Sequence, residues 1–269
     1  MTQAPNPGWA SIREASHAEW TKLRTAPGTA WTLATVIALT AALSAATAAA
    51  ARCPSAGCGQ DPARLSLTGI ELGQAAVAVL AVLAIGGEYS TGMIATTLTA
   101  MPRRATVLAA KAATLTALVL AAGTIAVLAS VLAGRLILPG HGFTPAHGYP
   151  PLSLGDGPVL RAAAGSVLYL ALIALLSLGA ATTVRDSAAA VGVVLGLLYL
   201  FPVIAAVVTD PHWQRHLEQI GPMSAGLAIQ ATTGLRGLPL SPWAGLGVLA
   251  AWATAALLAG GLLLRLRDA

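Results

Sequence analysis

Charge is the scarcest property of this chain: only 9% of its 269 residues are Asp, Glu, Lys or Arg, where soluble domains carry roughly 25%. With 56% hydrophobic residues and a mean hydropathy of +0.75, there is too little polar surface to cover a soluble globule. Lysine is scarcer still, with only Lys22 and Lys111. Neither follows a Gly-rich turn, so the chain lacks the loop that cradles phosphates in an ATPase. Aromatic residues make up only 4%, while Ala, Leu, Gly and Val dominate. Small side chains let helices approach closely in lipid, which fits a bundle of packed transmembrane helices. The long apolar runs contain essentially no ionisable residue. That leaves no visible proton or ion relay and argues against a self-powered carrier.

What is present is a succession of apolar runs long enough to cross a bilayer, which takes roughly 20 helical residues. Six are expected, at 30–51, 70–87, 112–134, 159–183, 188–209 and 243–264. The fold class they define is an all-α integral membrane domain over 30–264, preceded by a segment 1–29 and followed by a tail 265–269. Pro202 is the one evident interruption of a span. In the first segment, Trp9, Ile12, Ser16, Trp20 and Leu23 fall at steps of three and four. That spacing predicts an interfacial helix with its indole rings at headgroup level. No cleavable signal peptide is expected, because the first apolar run is too long for one.

Six spans put both termini on one side. With that side cytoplasmic, nine Lys and Arg lie inside (Arg13, Lys22, Arg24, Arg103, Arg104, Lys111, Arg185, Arg265 and Arg267) and six outside. The bias follows the positive-inside rule and implies a multi-pass protein of the plasma membrane. The basic residues are scattered at span ends, where they meet lipid headgroups, so the net charge of +5 is no nucleic-acid footprint. Cys53 and Cys58 share one loop, which lands outside. Their spacing is compatible with a disulfide or with two free thiols.

Two catalytic readings fail on their residues. His212 and His216 are spaced as two metal ligands on a helix, but a zinc-protease helix needs Glu after the first His and here Trp213 stands there. Ser166 and Ser177 lie in spans without a His to activate them. The segment 210–242 holds a short apolar stretch, Ala225 to Thr232, that either dips into the membrane or caps its outer face.

The most polar interruption lies between the second and third spans: Gly87-Glu88-Tyr89-Ser90-Thr91-Gly92-Met93-Ile94, then Met101-Pro102-Arg103-Arg104 and Lys111. Gly86-Gly87 is expected to release the second span. Thr91 to Ala100 then reads as a short helix lying along the membrane, with Glu88 near its positive end.

On these residues the chain resembles the permease subunit of ABC-2-type transporters. Glu19-Trp20-Thr21-Lys22-Leu23-Arg24 looks like that family's pre-span segment, and the 87–104 island like its cytoplasmic loop. Leu240-Ser241-Pro242-Trp243-Ala244-Gly245-Leu246 resembles the start of its last span, and Arg265 to Ala269 its basic end, interrupted here by Leu266. Ala95 stands where many relatives carry a basic residue. The resemblance implies an exporter permease without its own catalytic, cofactor or metal site, paired as a homodimer and driven by a separate ATP-binding subunit that consumes the ATP. Glu88, Tyr89, Ser90, Thr91, Gly92, Ile94, Arg103 and Arg104 would form the coupling helix and its flanks against that subunit. Trp20, Lys22 and Arg24 would belong to the interface helix beside it. The alternatives are a non-transporting subunit of an immunity or sensory complex, and a secondary carrier, which the charge-free spans disfavour. The apolar spans hint at a lipophilic cargo.

Overall fold

The computed structural model describes residues 27–55, 57–90 and 104–266. Among these, all regular structure is helical. In chain order the helices are α1 (Pro27–Ala50), α2 (Pro62–Leu67), α3 (Ile70–Ser90), α4 (Arg104–Ile137), α5 (Gly157–Val184), α6 (Ser187–Val207), α7 (Pro211–Ile220), α8 (Pro222–Leu227) and α9 (Pro242–Leu266). Six of them, α1, α3 (with the short α2 before it), α4, α5, α6 and α9, are long and apolar enough to cross a membrane. The chain is therefore a multi-pass helical protein, as its composition requires.

Local chemistry sets the helix ends. Asp61 caps α2 by accepting from the amides of Ala63 and Arg64 at 3.1 and 3.2 Å. Asp210 caps α7 through His212 and Trp213, at 2.8 and 3.3 Å. Each frees a helix start from unsatisfied N–H groups. The tight turn between α5 and α6 has a specific cause. Arg185 takes a left-handed φ of 62° and its amide returns to the Ala181 carbonyl at 2.9 Å. Asp186 then caps α6 by accepting from Ala189 at 2.7 Å. Two long helices are thereby joined with no loop to spare.

α5 is the centre of the bundle and packs against α3, α4, α6 and α9. Tyr169, Leu170, Ile173, Leu176 and Leu178 on it are fully buried. Lipid offers no hydrophobic reward for helix pairing, so the close contacts rest on small residues. Gly179 lies so near α9 that a Cβ on it would sit 2.5 Å from the Ala256 carbonyl carbon. Gly69 meets the Thr40 backbone on α1 just as closely.

The six long helices run alternately, so the bundle has two ends. One carries residues 51–69, 138–156 and 208–241, and is called the disulfide end because Cys53 and Cys58 are bonded there with Cα atoms 5.7 Å apart. Phe143, Leu138 and Ala48 pack around Cys53 in a small apolar cluster. The opposite end carries the start of α1, the α3 and α4 ends that flank 91–103, the α5–α6 turn and the end of α9.

Two expectations change here. Gly86-Gly87 does not release the second span: α3 continues through both glycines to Ser90. Gly86 instead admits a neighbour, since a Cβ there would fall 2.2 Å from the Ser187 hydroxyl on α6. The third helix also starts earlier than the apolar run suggests. α4 spans 34 residues from Arg104, about 51 Å at 1.5 Å per residue and longer than the roughly 30 Å hydrocarbon core. Lys111 is thus a helix residue, 3% exposed, rather than part of a surface island. The helix pattern hid this because Ala, Leu and Val flank the island with the same composition as the spans.

Within the 210–242 segment, residues 222–230 are packed into the bundle. α8 and the following turn Ala228–Gln230 insert between α5 and α9, with Met223, Ala225, Leu227 and Ile229 buried. Gly226 lies against the ring of Tyr169 and Gly165 against Ile229, where larger residues would collide. Residues 222–230 thus fill the space between α5 and α9 at the disulfide end, while α7 stays exposed.

Candidate functional site

Thr91, Gly92, Ile94 and Arg103 lie outside the described residues, as do Trp20, Lys22 and Arg24. Of the remaining island residues, Glu88, Tyr89 and Ser90 form the last turn of α3 and Arg104 begins α4. The two helices that carry the island are joined just inside it. Lys111 Nζ reaches from α4 to the Ala84 carbonyl on α3 at 3.4 Å. A lysine buried this fully needs a polar partner, and a carbonyl near the end of a helix supplies one. Through Gly86 and Ser187 the same stretch of α3 also touches the start of α6. α3 is thus in contact with both α4 and α6 near this end of the bundle.

The disulfide end holds a second polar feature that the sequence pattern did not mark. A cavity of about 430 Å³ opens between α2–α3, α6, α7 and α8. Its apolar walls include Pro202, Ala205, Met223, Leu227, Leu238 and Pro239. Arg64, Glu71, Gln214, Glu218 and Ser224 supply its polar groups. Beneath it, Gln74 is fully buried and its carbonyl oxygen accepts from the Tyr169 hydroxyl on α5. Gln74 Nε2 donates to the Glu71 carbonyl at 2.9 Å. The Tyr199 hydroxyl on α6 donates to that same carbonyl at 2.5 Å. One turn of α3 thus gathers hydrogen bonds from α5 and α6, just below the cavity floor.

Several bonds hold the cavity open. Gln219 Nε2 donates to the Pro239 carbonyl at 3.1 Å, tying α7 to the 231–241 strip. Trp252 Nε1 on α9 donates to the Ile220 carbonyl at 2.9 Å and fixes the far end of α7. Asp61 ties the strip down from the other side. Its Oδ2 accepts from the amides of Thr232 and Thr233 at 2.6 and 3.1 Å, and its Oδ1 accepts from the Thr232 hydroxyl at 2.7 Å.

Sequence reasoning missed this site because its members are spread from Arg64 to Pro239, and only folding brings them together. One signal was legible. Glu71 and Gln74 stand one turn apart in a run otherwise without long polar side chains, and Tyr169 and Tyr199 are two of only four tyrosines. Polar groups in otherwise apolar spans bond to each other across helices. His212 and His216, by contrast, stack edge-to-face with ring centroids 4.5 Å apart on the exposed α7. Among the described residues no group of three or more His, Cys, Asp or Glu is placed to hold a metal. Compared with models of known protein families and with curated protein sequences, the chain matches none.

Proposed function

We propose that the chain is the membrane-spanning subunit of an ATP-driven ABC-2-type exporter, working as a pair with a separate ATP-binding subunit. The reading starts from the four resembling segments, which fall in the family's order along nearly the whole chain. One observation carries it further. Residues 91–103 connect α3 to α4 along the chain, and those two helices are linked to each other by Lys111 and the Ala84 carbonyl. A partner that grips the island can move α3, and α3 packs on the central α5 and on α6. That is the mechanical connection a coupling helix requires. In this reading the island and both termini are cytoplasmic, the disulfide end faces outward from the plasma membrane, and the partner supplies the ATPase.

Co-purification from the native membrane tests it. An ATPase should be recovered with the wild-type chain. It should be lost when Glu88 is reversed in charge together with Arg103 and Arg104. Recovery of the chain without any associated ATPase would overturn the exporter reading and favour a non-transporting membrane subunit.

A further inference from the structure

We infer that the cavity at the disulfide end is a binding site for a lipophilic organic cation. Its assignment as the site where exported cargo rests depends on the exporter reading; the binding itself does not.

The volume of about 430 Å³ falls within the roughly 300–1,000 Å³ of small-molecule sites. The lining divides by chemistry. One wall, from Pro202 and Ala205 on α6 to Met223 and Leu227 on α8, is apolar and suited to the hydrocarbon body of a ligand. The polar side carries two carboxylates, Glu71 and Glu218, against one guanidinium, Arg64, for a net charge of −1. Among the described residues, neither carboxylate is hydrogen-bonded to a side-chain or backbone donor.

Of the neutral polar groups nearby, several are already committed, while Gln214 keeps a neutral amide. Ser224 donates its hydroxyl to the Glu218 carbonyl at 3.2 Å, and Tyr199 and Gln74 both donate to the Glu71 carbonyl below. What remains for a ligand is excess negative charge beside an apolar wall. A half-enclosed carboxylate without a donor is costly and attracts a cation that completes its pairing. A small, strongly hydrated cation would leave the apolar wall uncovered. A large cation with diffuse charge satisfies both faces and loses little hydration on entry.

The test uses two ions of nearly identical shape and opposite sign, tetraphenylphosphonium and tetraphenylborate, titrated calorimetrically into the purified full-length chain in neutral detergent. Saturable one-to-one binding of the phosphonium is expected, with the borate at least about tenfold weaker. Glu218→Gln and Glu71→Gln should each weaken phosphonium binding about tenfold, the scale of one charge-assisted contact. Ala206→Trp fills the cavity from an exposed position on α6 without changing its charge, and should abolish binding. Because Gln74 and Tyr199 are anchored to the Glu71 backbone, Ala206→Trp and Glu218→Gln decide the matter if Glu71→Gln does not fold. Equal binding of the two ions, or binding that survives Ala206→Trp, would overturn the inference. No ATPase is needed for these measurements. Binding by a chain that recruits no ATPase would therefore keep the site and remove only its role in export.

Discussion

Removing the Asp61 carboxylate should release the 231–233 strip from the bundle. Asp61 accepts five hydrogen bonds: Ala63 N, Arg64 N and Thr232 Oγ1 on Oδ1, and Thr232 N and Thr233 N on Oδ2. The two sets are separable. In Asp61→Ala both are lost. The helix cap is worth about 1 kcal/mol. The three bonds to Thr232 and Thr233 have a charged acceptor, worth up to about 1.5–3 kcal/mol each when buried. Thr233 is exposed and Thr232 only part-buried, so water recovers much of that, leaving about 2 kcal/mol for the set. In Asp61→Asn the cap survives, since Asn caps as well as Asp. Its amide nitrogen, however, would face two N–H donors and repel the strip. Amide hydrogen exchange resolves the difference. Protection at Thr232 and Thr233 should fall about 30-fold in both variants, the equivalent of 2 kcal/mol. Protection at the start of α2 should fall only in Asp61→Ala. Wild-type exchange at Thr232 and Thr233 in the Asn variant would refute the assignment of Oδ2 as the clamp.

Four further outcomes are expected. Gly179→Val should separate α5 from α9 and lower thermal stability by about 1–3 kcal/mol or more, because its side chain meets the backbone of Ala256 and Leu257. Gly192→Ala, with nothing within 4 Å of its added Cβ, should be neutral or slightly stabilising in the same melt. Lys111→Met keeps the buried stem but drops the ammonium, so amides 86–90 should exchange about tenfold faster with the bundle intact; unchanged exchange would show that the Ala84 contact does not tie the helices. Reducing Cys53–Cys58, or replacing both by Ser, should destabilise the disulfide end by about 2 kcal/mol on the loop-entropy estimate for so short a ring, given a sequence separation of 5. Limited proteolysis of the 52–61 loop reads that directly, and an unaltered cleavage rate would count against the estimate.

The number and approximate placement of the long helices were legible because crossing a bilayer demands unbroken apolar length, a property of the linear sequence. The α5–α6 turn was equally visible at Val184-Arg185-Asp186-Ser187, where the only polar break between two apolar runs is too short for anything but a tight reversal. Helix ends were less legible. Gly86-Gly87 reads locally as a stop, yet tertiary packing uses Gly86 as a gap for Ser187 and the helix runs on. Lys111 reads as a surface charge, yet the fold buries it beside the Ala84 carbonyl.

The sequence alone determined that the chain is helical, apolar and segmented, since composition and run length act residue by residue. Only the tertiary structure decided that 222–230 would plug the bundle, that Gln74 would meet Tyr169, and that Arg64, Glu71 and Glu218 would face one cavity. The reason is physical. In a chain where nearly every helix face is equally apolar, hydropathy does not distinguish lipid-facing from buried surfaces. The choice falls to close packing at a few small residues and to the few polar groups that must find one another.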